Sequence, residues 1–335
     1  MRILLTGGTG EVGRTTTDRL VNRGHEVRVI GRRSGLSIDG AEYRSCDILD
    51  YQALKEHVGG CDAVVHLAAV PNPWMGPSEK IFETNCSGAF NVYQAAAEEG
   101  ITRVVNASSV NAIGYFWGSK EFELSYLPVD EAHPACTTDP YSFSKQTLEE
   151  IAAYFWRREG ISGVSLRFPW VYEPTEEILE LLRSNIRWAA RRIPELLSLR
   201  AGEQAAFIHR LRATTRAAKA NRLQEKKDEM AAFLDEEQRK LFTGRYNLWT
   251  NIDARDAAQA IDRAVSADFT GSHPVFVNDS HNSAGVESRI LARLFYPDVS
   301  VDESRLKGTE SLISIDRARK LLEFEPSYSL SRYYS

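Results

Sequence analysis

The sequence predicts an α/β fold: a doubly wound parallel sheet with helices on both faces, extended by a smaller, largely helical C-terminal part. Three observations predict it. Short apolar runs alternate with helix-like stretches through the first half of the chain. The first run ends directly in a glycine-rich turn, Thr6-Gly7-Gly8-Thr9-Gly10-Glu11-Val12-Gly13. After Pro174 the strand-like runs stop, and from Thr175 to about Thr243 the chain reads almost wholly helical.

Taken in order, residues 2–6 suit a strand buried on both faces. A helix is expected over about 12–23, closed by Gly24, then a second strand from Glu26 to Ile30. Another short strand precedes Cys46-Asp47-Ile48. Val64 to Leu67 and Val104 to Ala107 read as strands, with a helix from Ser78 to Glu99 between them. A helix over 141–158 leads into a strand from Val164 to Phe168. Thr175 can cap the next helix, Glu176 and Glu177 favour its first turn, and Ile178, Leu181, Leu182 and Ile186 recur at helical spacing. From Trp249 onward the chain is mixed again.

Bulk properties exclude several classes. The net charge is −5, which gives no general attraction to nucleic acid or an anionic membrane. No apolar run approaches the roughly 20 residues of a membrane helix. The start, Met-Arg-Ile-Leu-Leu-Thr-Gly, reads as a strand rather than a signal peptide, so a cytoplasmic protein is expected. Cys46, Cys61, Cys86 and Cys136 lack C-x-x-C spacing and are expected to be reduced and structural; no metal site is expected.

The glycine turn follows a strand and opens a helix, with Gly7, Gly10 and Gly13 in G-x-x-G-x-x-G spacing. That is the dinucleotide-binding arrangement of a Rossmann fold. Gly7 makes the tight turn, Gly10 admits the pyrophosphate, Gly13 allows close helix packing, and the helix N-terminus at Glu11 and Val12 faces the phosphates. Strand two ends in Gly31-Arg32-Arg33, without the carboxylate that would bind the adenosine ribose. Arg32 and Arg33 can instead hold a 2′-phosphate, which favours NADP over NAD; the alternative is that Arg32 stacks on adenine or faces solvent. Asp47, with Ile48, can receive the adenine amino group. Small residues in His66-Leu67-Ala68-Ala69 let the backbone touch the cofactor.

Tyr141-Ser142-Phe143-Ser144-Lys145 places Tyr and Lys on one face of a helix start. A tyrosine serves as acid or base in hydride transfer only if its pKa falls from about 10 toward neutral, and a lysine one turn away supplies the field. Ser108-Ser109, after a strand, can hydrogen-bond the reacting oxygen. Trp74, Trp117 and Trp170 are expected on loops after strands, as core plugs or as a platform for a sugar-like ring.

The chain resembles the extended short-chain dehydrogenase/reductase family, the NAD-dependent epimerase/dehydratase group. The resemblance rests on Thr6 to Gly13, Cys46-Asp47-Ile48, His66 to Ala69, Asn85-x-x-Gly88-x-x-Asn91, Ala107-Ser108-Ser109, Tyr141 to Lys145, Arg167 to Pro174, and Asn251-Ile252-Asp253-x-x-Asp256. Ser314 to Pro326 resembles the family's C-terminal helix and turn. The resemblance implies catalysis by Ser109, Tyr141 and Lys145, a cofactor site that includes Pro169, and a homodimer through helices at about 79–99 and 141–158. Leu148, Ile151, Ala152, Phe155 and Trp156 would supply that interface. Departures carry information. Trp170 stands where nucleotide-sugar enzymes of the family usually have Asn, and indole cannot accept a hydrogen bond in its place. Glu173 puts a carboxylate near the expected site. Val110-Asn111 replaces the acidic pair of the dehydratases, and the Ser-x-Asn-x-x-Gly pattern resembles the uronate dehydrogenases.

Segment 176–245 lies outside the resemblance and carries 15 Lys/Arg against 11 Asp/Glu. It reads as a helical subdomain with a solvated charged face, as a basic lid over an anionic substrate, or as an oligomerisation arm. The expected division is a dinucleotide domain, 1–170 with about 246–275, and a substrate side, 171–245 with about 276–335. The expected function is NAD(P)-dependent oxidation or reduction of a small polar, sugar-derived substrate, with Trp74, Ser109, Asn111, Trp117 and Trp170 toward that substrate. The alternatives are a sugar epimerase with retained cofactor and a non-enzymatic redox-sensing regulator.

Overall fold

The structure, a computed structural model, describes residues 1–334; the last residue of the expected 276–335 stretch lies outside the described residues. The strands are β1 (Arg2–Thr6), β2 (Glu26–Gly31), β3 (Glu42–Ser45), β4 (Ala63–His66), β5 (Arg103–Ser109), β6 (Tyr126–Leu127), β7 (Ser162–Phe168), β8 (Trp170–Tyr172), β9 (Asn251–Asp253), β10 (Ser272–Phe276) and β11 (Ser300–Val301). Seven of them form one sheet in the order β10-β7-β5-β4-β1-β2-β3, and all its pairs are parallel. The order reverses between β1 and β4, which opens a crevice at the carboxyl ends of those strands.

Helices cover both faces. On one, α1 (Glu11–Asn22), α10 (Ala254–Ser266) and α12 (Asp316–Leu322) pack Leu20, Ile261 and Ala318 against Ile3, Leu5, Val27 and Val65. On the other, α2 (Tyr51–Val58), α4 (Gly88–Glu98) and α5 (Pro140–Glu159) pack Leu54, Val92 and Phe155 against Leu4, Val64 and Val104. Alternate strand residues thus enter opposite cores, which is why the strands read as continuous apolar runs rather than as alternations.

The helix expected from Ser78 to Glu99 is interrupted. It consists of α3 (Ser78–Phe82), a π turn at Glu83–Ser87, and α4. The wide turn carries Asn85, whose carboxamide accepts from Val70 N–H (2.7 Å) and donates to the Val70 carbonyl (3.1 Å) and Ser144 Oγ (2.9 Å). Such bulges break an otherwise regular apolar period without a glycine or proline to mark them. Farther along, Asn91 donates to the Ile48 carbonyl at 3.0 Å, fixing the turn after β3.

A third core lies beside the sheet. It joins α6 (Glu176–Ser198), α7 (Ala201–Ala220), α9 (Glu236–Tyr246) and α11 (Ser288–Phe295) to residues of 110–129; α8 (Lys227–Phe233) is short and surface-lying. Thr175 caps α6 by accepting from Ile178 N–H at 3.3 Å. Of the expected apolar stripe, Leu182 and Ile186 are buried but Leu181 is exposed.

Two other expectations change. Trp170 does not lie on a loop: it opens β8, which pairs with β9 in a separate two-stranded sheet. In α5, Leu148, Ala152 and Phe155 are buried within the chain itself, Ala152 and Phe155 in the core against the sheet, while Ile151 and Trp156 are half-buried. The apolar groups that face outward are Phe82, Phe90, Phe143 and Tyr154. They stack as Phe82–Phe143 (5.7 Å) and Phe90–Tyr154 (6.3 Å). No helix among the described residues is long and apolar enough to cross a membrane.

Candidate active site

A cavity of about 1190 Å³ occupies the crevice at the carboxyl ends of β1, β4 and β5. Its floor is the glycine turn. Gly7 has φ +74°, and a Cβ there would lie 2.6 Å from Ala68 N; a Cβ at Gly13 would lie 2.2 Å from the Gly7 carbonyl oxygen. A Cβ at Gly10, by contrast, would meet nothing closer than the Gly7 carbonyl oxygen, at 3.5 Å, so this face is open to the cavity. Gly10 is also the N-cap of α1 and offers no side-chain cap, which leaves N–H groups of the first turn free for an anion. These features fit a dinucleotide pyrophosphate.

Glu11, Val12, Arg32, Asp47, Ile48, Leu67, Ala68, Ala69 and Pro169 line the same cavity. Arg33 does not. It follows a turn pinned by the Tyr43 hydroxyl, which donates toward the carbonyls of Gly31 (3.1 Å) and Arg33 (2.6 Å), and its side chain is exposed. Glu173 is likewise absent from the cavity wall. It follows β8, whose pairing with β9 carries the chain on toward α6.

Tyr141, Lys145 and Ser109 line the cavity together. Asp139 caps α5 by accepting from Ser142 N–H at 2.8 Å and so sets where Tyr141 begins the helix. Lys145 Nζ donates to the Ala107 carbonyl at 2.7 Å, tying α5 to the end of β5. Burial pulls its ammonium down to about 8, with Cys86 and Glu149 opposing. Burial pushes the Tyr141 phenol up to about 12, and the Ser109 hydroxyl works in the opposite direction. Ser108 is drawn away from the cavity chemistry: its hydroxyl donates to Glu149 at 2.6 Å, and Glu149 forms a buried two-point pair with Arg167 (2.9 and 2.8 Å).

Beyond Tyr141 the wall is aromatic. Trp117 is buried and meets Trp74 edge-to-face at 4.8 Å; Trp74 and Trp170 are exposed at the cavity. Asn111 adds a buried carboxamide oxygen with no partner among the described residues. Sequence reasoning missed Phe116, Thr243 and Asn247, which also line the cavity. Phe116 adjoins Trp117 and was findable on that ground. Thr243 and Asn247 come from α9 and its end, where no motif marks them.

A parallel sheet with this switch point, a glycine turn at the crevice and a Tyr-x-x-x-Lys helix beside it define a Rossmann protein of the short-chain dehydrogenase/reductase kind. The chain belongs to the NAD dependent epimerase/dehydratase family, which residues 3–209 match. It is 33% identical over 168 residues to a uronate dehydrogenase of Pseudomonas syringae pv. tomato, a match that covers 50% of this chain and 58% of that protein. It is 33% identical over 184 residues to an L-arabinose 1-dehydrogenase (NAD(P)(+)) of Haloferax volcanii, covering 52% and 69%. Among solved structures, a superfamily member from Agrobacterium tumefaciens with bound NAD aligns over 100% of this chain and 95% of that one, at TM-score 0.63 and 23% identity. The glucuronic acid dehydrogenase of Chromohalobacter salexigens aligns at TM-score 0.60 and 20% identity, over 99% and 86%.

Proposed function

We propose that this protein is an NAD(P)-dependent oxidoreductase acting on a hydroxyl or carbonyl of a free, sugar-derived substrate. The observation that carries the reading is the convergence of Tyr141, Lys145 and Ser109 on the wall of the cavity floored by the glycine turn. When bound, the dinucleotide supplies the hydride acceptor and, in its oxidised form, a positive charge near Tyr141. In oxidation, the Tyr141 hydroxyl oxygen receives the proton of the substrate hydroxyl, directly if it is ionised. Burial, with Asp139, opposes that ionisation, and the Ser109 hydroxyl lowers its cost; Lys145, with Nζ 5.8 Å from the Tyr141 ring centre, adds a nearby cation that favours the phenolate. Lys145 binds the nicotinamide ribose, and Ser109 orients the substrate oxygen. Trp74 and Trp117 bound the ring, and the unpartnered Asn111 oxygen accepts a substrate hydroxyl.

Trp170, which can donate but not accept a hydrogen bond, in place of an asparagine disfavours a sugar diphosphate, and the uronate and arabinose dehydrogenases among the relatives support a free sugar. UDP-glucose 4-epimerases are also among the relatives, which supports epimerisation with retained cofactor as the second reading. The absorbance spectrum of the purified protein separates the two. Cofactor that washes out, with reduced nicotinamide accumulating on incubation with L-arabinose or a hexuronate, is the expected result. Cofactor that stays bound through gel filtration, with no net reduction, would favour the epimerase.

We also propose that 1–170 with about 246–275 works as the dinucleotide domain and 171–245 with about 276–335 as the substrate side. A homodimer, covering the outward aromatic groups of α3 to α5, completes the reading.

A further inference from the structure

Four consecutive backbone carbonyls, Tyr115 to Gly118, in the loop whose Phe116 and Trp117 line the cavity, are all taken by two side chains of the helical segment. Lys219 Nζ, on α7, donates to the carbonyls of Tyr115 (2.7 Å), Phe116 (2.9 Å) and Gly118 (3.1 Å). Gln224 Nε2, in the turn after α7, donates to the carbonyl of Trp117 at 2.8 Å. Lys219 is 1% exposed and Gln224 0%. The three hydrogens of the ammonium are thus each matched to an oxygen of one loop, without a carboxylate.

That arrangement is costly. Burial pulls the Lys219 ammonium down to about 7. Glu121 is committed elsewhere, to Arg245 (2.8 Å), Tyr246 (2.8 Å) and Arg216 (2.7 Å), and these bonds fasten the far end of the same loop. An aliphatic side chain of similar length would fill the space without desolvating a charge. What the cation achieves is a fixed loop backbone, and that loop presents Phe116 and Trp117 to the cavity. Trp117 packs in one apolar cluster with Tyr141 and Ile81.

We propose that Lys219 and Gln224 are positioning residues for substrate selection: they lock loop 115–118 so that Trp117 stands as a rigid wall beside Tyr141, and the helical segment thereby sets which rings the cavity admits. The inference rests on the reading that substrate binds at this end of the cavity. It also gives the segment 176–245 a role distinct from a basic lid, because its buried lysine acts on the protein's own carbonyls.

The test compares wild type with Lys219→Met, both saturated with NAD, by hydrogen exchange. The amides of 115–121 are expected to exchange about tenfold faster or more in the variant, as loss of a charged donor implies, while α5 keeps its protection. With L-arabinose or a hexuronate, KM is expected to rise about tenfold while kcat changes by less than about threefold and cofactor affinity holds. In a Trp117→Phe background the same substitution should raise KM little further, since the lysine acts through that ring. Unchanged loop exchange, fully additive KM effects, or loss of protection in α5 together with the loop would each overturn the proposal. If Lys219→Met does not fold, Gln224→Met removes a single neutral bond and must show the same pattern at smaller amplitude; an unchanged loop there overturns it equally. If neither sugar is turned over, the substrate reading fails, and the exchange measurement still decides whether these two side chains hold the loop.

Discussion

The Oγ of Ser109 accepts two hydrogen bonds from Asn111, one from its backbone N–H at 3.1 Å and one from its carboxamide at 3.3 Å. With both acceptor directions used, the serine's single hydrogen is left to point toward the cavity and Tyr141. Asn111 therefore sets the direction of the Ser109 hydroxyl. Asn111→Ala is expected to lower kcat/KM for the sugar by about tenfold, the worth of one or two hydrogen bonds, with cofactor affinity unchanged by calorimetry. A variant within about twofold of wild type would show that Ser109 needs no such guide.

Tyr141→Phe removes the transferable proton and little else, because the ring keeps its place in the cluster with Ile81 and Trp117. Turnover is expected to fall by about a hundredfold or more while NAD(P) affinity stays within about twofold. Steady-state rates retaining over a tenth of wild type would remove Tyr141 from the chemistry.

The stacked pairs Phe82–Phe143 and Phe90–Tyr154 leave an apolar strip on the outer side of α3 to α5. A strip of this kind on a helical face marks an association surface. Light scattering at micromolar concentration is expected to give the mass of a dimer, and Phe90→Glu with Tyr154→Glu is expected to give a monomer that still binds cofactor. A wild-type monomer would refute the assembly.

Much of this was legible in the sequence, for identifiable reasons. The inner sheet strands were visible because a parallel strand buried on both faces must be apolar throughout, as Ile3-Leu4-Leu5 and Val64-Val65 are; the edge strand β10, only half-buried at its start, was not foreseen. The glycine turn was visible because Gly7 and Gly13 have no room for a Cβ. What escaped was set by contacts distant in the chain. Lys219 and Gln224 lie in a stretch of ordinary helical composition, and only folding brings them to carbonyls more than a hundred residues away. Thr243 and Asn247 reach the cavity for the same reason. The π turn at Glu83–Ser87 escaped because its sequence is compatible with plain helix. The outward strip was expected on helices α3 to α5 but with other residues: Leu148, Ala152 and Phe155 turn inward, and Phe82, Phe90, Phe143 and Tyr154 face out.

His66, at the end of β4, is buried against Thr6, with Nδ1 2.8 Å from the threonine Oγ1. That oxygen also accepts from Ala68 N–H at 3.1 Å, and its hydrogen and second lone pair both remain for Nδ1. Burial, aided by Lys145, pulls the ring down to about 3. The folded value is below the unfolded value of about 6.5, so the unfolded chain binds the extra proton first as pH falls. Stability from this group is full above about pH 6.5 and is lost below it, by up to about 1.4 kcal/mol per pH unit, until the folded ring itself titrates. Urea denaturation of wild type and His66→Gln between about pH 7 and pH 5 is the check. The wild type should lose more stability than the variant over that range, and parallel curves would mean the imidazole is not held neutral.

The final prediction concerns the adenosine end of the cavity, where Arg32 and Arg33 are no longer equivalent. Strand β2 ends in Gly31, so no carboxylate is available there to repel a 2′-phosphate or to bind free ribose hydroxyls. Arg32 lines the cavity, whereas Arg33 lies beyond a turn held by Tyr43. A charge-assisted bond to phosphate is worth about 1.5–3 kcal/mol when well formed. Arg32 is exposed, so solvent screening puts its contribution at the lower end of that range. A preference for NADP over NAD of about tenfold is therefore expected. Arg32→Ala should abolish the preference by weakening NADP alone, because NAD offers that guanidinium no 2′-phosphate. Arg33→Ala should leave both affinities within about twofold. Asp47 is the competing influence: its carboxylate accepts from Leu49 N–H at 3.0 Å and also lines the cavity, where it can serve a ribose or adenine group of either cofactor. Calorimetric titration of both cofactors against the wild type and the two variants decides the matter. Equal affinity for NAD and NADP in the wild type, or an Arg32→Ala variant that binds NADP undiminished, would show that the end of β2 does not choose the cofactor.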